Sequence, residues 1–437
     1  MKSWHDQQSV ATPSAMADHE ITRLRQLLEE SERRREEEQR RREEADRRRE
    51  EEQRRREEAD RKRDEAEILA SAARPQTVPD YLESCHRLSL AIEIVTDKTL
   101  TTQGELTKPT GRKFPRRIIP WENFAASQEK TWNLLSADDA FFSDRLCPSL
   151  TQLDYVASLN APISSEIGLR NFQRDTVENA VERLLTEVYN NPHLRTRLDM
   201  QGTVKFESHT NLGPENESIS EHLENLTIDG ATIGPTVPRR RAAGKGNRRA
   251  DQFCIYRTES GRSYPSLAIE YKAPHKLSRD QIVAGLAAEI QPDRDVINKD
   301  GEGFDFESRR LCAAVVTQLF SYMVGLGTPY GYVCTGEVFI FLHIHPSDPS
   351  MVYYSVQVPN LDVMDDDETR LHRTAVSQVF AFVLRAIREE PPPQVWFDAA
   401  EALETWTVEY EKPVADAPST SLEHKNHKII SKSPNKR

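Results

Sequence analysis

Residues 251–272 read DQFCIYRTESGRSYPSLAIEYK, two short apolar runs separated by a polar turn. Asp251 to Tyr256 is rich in aromatic and β-branched residues and predicts a strand. Glu259 to Ser263 (ESGRS) has the composition of a turn, and Ser266 to Lys272 (SLAIEYK) predicts the returning strand of a hairpin. Alternation along a strand puts Glu270 and Lys272 on one face and Ile269 and Tyr271 on the other. Asp251 opens the partner strand, so the hairpin can gather two carboxylates and one ammonium into a single cluster. Such acids need a counter-charge, and a hard cation such as Mg²⁺ or Mn²⁺ binds carboxylate oxygens. A bound metal lowers the pKa of its water and stabilises charge on a phosphate, with the lysine orienting the water or neutralising the phosphate. The alternative is a surface salt-bridge network on an exposed hairpin.

Working outward, residues 169–191 (LRNFQRDTVENAVERLLTEVYNN) predict an amphipathic helix with Val177, Val181, Leu184, Leu185 and Val188 on one face. A strand over Thr203 to Phe206 follows, then a long polar stretch, about 208–249, expected to be mobile. Beyond the hairpin, residues 278–290 read as a helix opened by Ser278, and 294–306 as a polar loop. Ser308 to Gly325 is a long apolar helix, followed by strands at Tyr330–Cys334, Glu337–His343 and Met351–Val358. Thr369 to Arg388 is a further amphipathic helix, and Pro391-Pro392-Pro393 ends the folded part. Within VVTQLFSYM, Gln318 and Tyr322 stand four residues apart and share one helix face.

The order helix, strand, strand with Asp251, strand with Glu270 and Lys272, helix with Gln318 and Tyr322, strand resembles the α-β-β-β-α-β core of the PD-(D/E)XK nuclease superfamily. The Gln-x-x-x-Tyr pair is similar to the motif of its RecB-type branch. This resemblance covers about residues 163–345 and implies a restriction-endonuclease-like α/β fold with inserted and flanking helices. It further implies Asp251, Glu270 and the carbonyl of Tyr271 as metal ligands for Mg²⁺ or Mn²⁺, Lys272 as the catalytic lysine, and Gln318 and Tyr322 as lining residues. On the first helix it implies a further acid: Glu178, which lies nearer the apolar face, with Glu182 as alternate. Two departures stand out. Asp251 follows Ala250 rather than proline, and about 45 residues separate Lys272 from Gln318, room for an inserted helix. Segments such as PRRIIPWENF, RRADQFCIY and GYVCTGEVFIFLHI also resemble a widespread group of fungal proteins. In some of those a domain of this kind precedes a protein kinase-like domain, but no kinase signature follows here.

Residues 33–67 are five heptads (RRREEEQ RRREEAD RRREEEQ RRREEAD RKRDEAE), each with three basic and three acidic side chains. The only apolar residues inside the repeat are Ala45, Ala59 and Ala66, so a leucine-zipper seam is missing. An isolated charged helix or weak coiled coil over 20–74 is expected, a spacer or oligomerisation arm, with Arg33 facing Glu37 and Glu36 facing Arg40. Residues 1–19 are expected to be disordered. Residues 75–162 form a mostly helical lead-in to a nuclease-like domain over 163–393, with a helical extension at 394–412 and a disordered basic tail at 413–437. Within the lead-in, Arg112, Lys113, Arg116 and Arg117 form a basic cluster of the kind usually found on a surface.

Composition narrows the class. Five scattered cysteines without a CxxC or Cys/His cluster argue against a disulfide scaffold and a zinc finger. The polar N-terminus lacks a signal-peptide core and the longest apolar stretch is too short for a bilayer, so an intracellular protein, cytoplasmic or nuclear, is expected. A net charge of −12 disfavours a chain coated for nucleic-acid binding, although a groove can still be basic. Arg239, Arg240, Arg241, Lys245, Arg248 and Arg249 lie just before Asp251 and could grip phosphates there, act as an import signal, or solubilise a loop. His343 and His345 share a strand face but lack a nearby third ligand, so they read as ordinary strand histidines. Two functional classes follow: a Mg²⁺-dependent phosphodiesterase on DNA or RNA, or a catalytically inactive nuclease-fold module that binds a partner and is carried on a charged arm.

Overall fold

The computed structural model describes residues 13–102, 107–208 and 250–407, and divides the chain into two units, Met1–Ala73 and Arg74–Arg437. The six basic residues between Arg239 and Arg249, most of the 208–249 stretch and the 413–437 tail lie outside the described residues.

In the first unit a single helix runs from Pro13 to Ala72. Most of its ion pairs join an acid to the basic residue four positions later, as in Glu37–Arg41 (2.6 Å), Glu44–Arg48 (2.6 Å) and Glu51–Arg55 (2.7 Å). Arg33 correspondingly reaches back to Glu29 (3.8 Å) rather than forward to Glu37. Acid-before-base is the better orientation because it runs with the helix dipole. Pairs this exposed contribute about 0.3–0.5 kcal/mol each, and Leu24, Leu27 and Leu28 remain exposed.

The second unit is built on a seven-stranded mixed sheet: β1 (Arg117–Pro120), β2 (Gly202–Glu207), β3 (Gln252–Thr258), β4 (Ser263–Tyr271), β5 (Tyr330–Cys334), β6 (Phe339–His345) and β7 (Asp348–Gln357). Their order is β1-β7-β6-β5-β4-β3-β2. The expected hairpin forms: β2, β3 and β4 are an antiparallel meander, with a register shift at Cys254/Ile255. β5 lies parallel to β4, placing Glu270 opposite Val333 and Tyr271 opposite Cys334. β6 and β7 continue antiparallel, and β1, from the lead-in, closes the far edge parallel to β7.

Alternation along the strands feeds two cores. Cys254, Leu267, Ile269 and Tyr271 face one side, where they join the helices Val78–Leu90, Asn179–Asn190 and Ala375–Ala386. Phe253, Ile255, Ala268 and Val333 face the other, covered by the helices Arg279–Gly285, Phe304–Leu326 and Gln394–Glu401. The expected 278–290 helix is thus shorter, ending at Gly285. That glycine is required by close approach: a Cβ there would sit 2.4 Å from the Ser308 carbonyl oxygen. The long apolar helix ends on Gly327, whose φ of 68° is the left-handed cap glycine adopts readily.

The helix expected over 169–191 is part of a longer stretch that is not continuous α-helix. Glu166–Gln173 and Asn179–Asn190 are joined by a π turn over Arg174–Glu178. Among the described residues, no helix is long and apolar enough to cross a membrane.

Candidate active site

The end of β4 carries the candidate site. Because strand residues alternate, Glu270 points toward the Phe304–Leu326 helix, and Lys272, two residues on, follows it. Both are almost fully buried, at 2% and 3% exposure. Lys272 Nζ donates to Glu270 Oε1 at 2.8 Å. Gln318, from the facing helix, donates its amide to the same Glu270 oxygen and accepts from Lys272 at 3.4 Å. Asp251 joins from the neighbouring strand by accepting the backbone N–H of Tyr271 at 2.8 Å. Tyr322, one turn beyond Gln318, is also buried and lies within electrostatic range of both Glu270 and Asp251. The structure therefore brings Asp251, Glu270, Lys272, Gln318 and Tyr322 together.

Electrostatics sharpen the picture. Burial pushes the Glu270 carboxyl up to about 8, with Asp251 adding to the rise and Lys272 opposing it. Asp251 is likewise raised by burial, against the Tyr271 N–H and Lys272. Burial pulls on Lys272 in the opposite sense, but the charges of Glu270, Glu166 and Asp251 outweigh it and hold the ammonium above its ordinary value. Lys272 is thus one cation among more than one acid. The second oxygen of Glu270, Oε2, is buried and has no hydrogen-bond partner.

Glu178 does not join this cluster. Its two oxygens accept from the Tyr271 hydroxyl and the Gln252 amide, both of which point to the opposite face of the sheet. Glu178 is buried, as its place near the apolar face predicts, but on the far side of the sheet from the cluster, because burial on a helix face does not say which sheet face the helix covers. Burial raises its carboxyl to about 7. Glu182, the alternate, accepts from Lys205 (2.8 Å) and the Phe206 N–H (2.7 Å), pinning the edge strand β2.

The acid of the first helix that does approach the cluster is Glu166, at the helix start behind the Ser165 cap. Its charge acts on Asp251, Glu270 and Lys272, and it pairs with Lys276 at 3.4 Å. The only sequence signal for it was Ser165 followed by an acid, a helix-start pattern that says nothing about neighbours.

Two further residues come from the lead-in. Thr107 donates to Gln318 at 2.7 Å. Arg112, expected on the surface, is 7% exposed, with its guanidinium 4.7 Å from the centre of the Tyr322 ring. Of the rest of the basic cluster, Arg117 binds Glu289 (2.7 Å) and Arg116 is exposed, as a surface would have it, while half-buried Lys113 donates to the Ala400 carbonyl (2.5 Å). His343 is packed against Trp121 (5.0 Å) and Tyr330 (4.4 Å), and burial pulls it down to about 3, so it is a neutral core ring.

A mixed α/β protein with a buried lysine–carboxylate–glutamine network at one end of its sheet is the class defined by fold and site together. The chain belongs to the spore killer 2 N-terminal domain family, whose model matches residues 77–407. It is also 27% identical over 370 residues to the Meiotic driver SPOK2 of Podospora anserina (strain S), an alignment covering 77% of this chain and 46% of that protein. The chain therefore spans less than half the length of this curated relative. The fungal resemblance read from the sequence agrees with both matches. No solved structure matches the chain.

Proposed function

We propose that this chain is a metal-dependent phosphodiesterase of PD-(D/E)XK type that cuts DNA or RNA at the Asp251, Glu270 and Lys272 cluster. The observation that carries it is Glu270: one oxygen is saturated by Lys272 and Gln318 while the other, equally buried, has no partner. An unpartnered buried carboxylate oxygen costs free energy unless something is meant to meet it. A hard cation suits that oxygen, and Asp251, Glu270 and the Tyr271 carbonyl are the groups that would hold it. Among the described residues no three His, Cys, Asp or Glu side chains converge as a metal cage. Mg²⁺ does not need one, since it commonly takes one or two carboxylates and completes its shell with water and substrate phosphate. When bound, such an ion supplies an activated water and charge stabilisation on phosphate.

The chain's own residues then have separable tasks. Lys272, kept charged by the surrounding acids, neutralises charge growing on a phosphate oxygen and orients the attacking water. Gln318 fixes the Glu270 carboxylate, and Thr107 fixes Gln318. Asp251, by accepting the Tyr271 N–H, holds the end of β4 against the opening of β3. The element order supports the reading: β2-β3-β4 antiparallel, then inserted short helices and the long Phe304–Leu326 helix, then β5 parallel to β4. The relative is a meiotic driver; cutting nucleic acid is a chemistry suited to such a role, but driving belongs to that whole protein.

The test is a cleavage assay on labelled single-stranded DNA, duplex DNA and RNA with Mg²⁺, Mn²⁺ or EDTA. Metal-dependent cutting lost in both Lys272→Ala and Glu270→Gln is expected. Cutting that survives both substitutions would sink the proposal. A second reading, a catalytically inactive binding or regulatory module, is favoured by the net charge of −12. No cutting, together with stoichiometric capture of a protein partner, would establish that reading instead.

A further inference from the structure

Arg112 is a buried cation whose contacts leave part of its guanidinium unmet. Its guanidinium lies over the Tyr322 ring at 4.7 Å, and its Nε donates to the Lys108 carbonyl at 2.5 Å. Nη1 is fully buried and, among the described residues, has no hydrogen-bond partner. No carboxylate among the described residues pairs with it, although the neighbouring cluster holds several. Leaving a guanidinium N–H unmet in the interior is costly, more so than for a neutral donor. A merely structural arginine at this depth would be expected to find an acid.

The loop that carries Arg112 is held stiffly. Gly111 donates to the Trp406 carbonyl (2.7 Å), Trp406 donates back to the Arg112 carbonyl (2.8 Å), and Phe114 donates to Glu404 (3.2 Å). Thr107, at the other end of the loop, is bonded to Gln318 of the cluster. Arg112 is therefore held against Tyr322, which is itself within electrostatic range of Glu270 and Asp251.

We infer that Arg112 is an anion-binding residue of this site, its open Nη1 taking a non-bridging oxygen of a nucleic-acid phosphate next to the one that is cut. This rests on the phosphodiesterase reading and adds to it a binding residue from outside the β3–β4 hairpin. A planar guanidinium suits phosphate oxygens better than an ammonium does, which separates Arg112→Lys from a simple loss of charge.

The test measures binding apart from cutting. The full chain is titrated in EDTA against a short fluorescein-labelled single-stranded oligonucleotide, with inorganic phosphate as competitor. Arg112→Met is expected to weaken binding about tenfold to a hundredfold and to reduce the salt slope by about one. Arg112→Lys, which keeps charge and stem if the methionine variant folds poorly, is expected to lose less but still bind more weakly than the parent. Arg116→Met, the same charge change at an exposed neighbour, is the reference and should have little effect. Equal affinity of the parent and both Arg112 variants, or no competition by phosphate, overturns the inference. Parallel cleavage assays keep the two readings apart. Phosphate binding lost in Arg112→Met without any metal-dependent cutting leaves an anion site in a non-nuclease. Cutting that needs Lys272 but ignores Arg112 leaves the nuclease and removes the clamp.

Discussion

Two glutamates, Glu270 and Glu178, lie on opposite faces of the same sheet end, both almost fully buried. Both carboxyls are pushed up by burial, to about 8 and about 7. Their surroundings differ in kind. Glu178 is sealed, each oxygen receiving a hydrogen bond from a neutral donor, Tyr271 or Gln252. Glu270 has a charged partner and an amide on one oxygen and nothing on the other. Burial and a raised pKa alone would nominate both as functional acids. A hydrogen bond to each oxygen distinguishes Glu178 from Glu270, whose second oxygen has none.

The largest expected effect tests that separation on catalysis. Lys272→Met and Glu270→Gln should each lower the cleavage rate roughly a hundredfold to a thousandfold, as loss of one preorganised charged group does elsewhere. Glu178→Gln should stay close to the parent, because both of its contacts can be remade by an amide. Equal losses in all three would erase the distinction between the faces. Next comes Glu166→Gln, which removes the acid that supports Lys272 from the first helix. Outer-shell partners of metal sites typically matter by about tenfold to a hundredfold, so Mn²⁺ affinity should fall by that much, read by calorimetric titration.

The third prediction concerns pH. Below about 8 the Glu270 carboxyl carries a proton that a cation must displace. Mn²⁺ affinity should therefore rise by up to about tenfold per pH unit from pH 6 toward 8, then level off. Glu270→Gln should be flat over that range, whereas Glu178→Gln should follow the parent curve. The smallest effect is on stability. Tyr271→Phe takes one donor from Glu178 and should cost about 1–3 kcal/mol by denaturant melting. The sign with pH follows from the raised carboxyls: their contribution is fully present below their unfolded values and is lost as pH rises through about 7 and 8. The parent should therefore be more stable at pH 5 than at pH 8, and Glu178→Gln should flatten part of that decline. A parent that gains stability over this interval would contradict the assignment.

Arg112 and Glu166 show where reading from the sequence stopped. Arg112 belongs to an irregular loop without period, and its burial depends on hydrogen bonds to Trp406, almost three hundred residues away in the chain. Glu166 and Glu178 sit on one helical stretch, but the π turn that ends at Glu178 shifts the phase along it, so a helical wheel drawn across residues 166–191 misaligns its two ends. By contrast Gln318 and Tyr322, four apart on regular helix, were legible as a pair and do meet at the cluster.

By itself, the sequence determined what local periodicity can encode. That comprises the β3–β4 hairpin with Glu270 and Lys272 on one face, the apolar helix that lines it, and a charged N-terminal helix without a buried seam. Each follows from a repeat of two or 3.6 residues, set by backbone geometry within a few neighbours. Tertiary structure alone decided that β1 from the lead-in pairs parallel with β7 more than two hundred residues later. It also decided that Glu178 faces away from the site, and that Glu166, Thr107 and Arg112 reach it. Those outcomes depend on which sheet face each helix covers and how strands register across long loops, and a short window of sequence carries no signal for either.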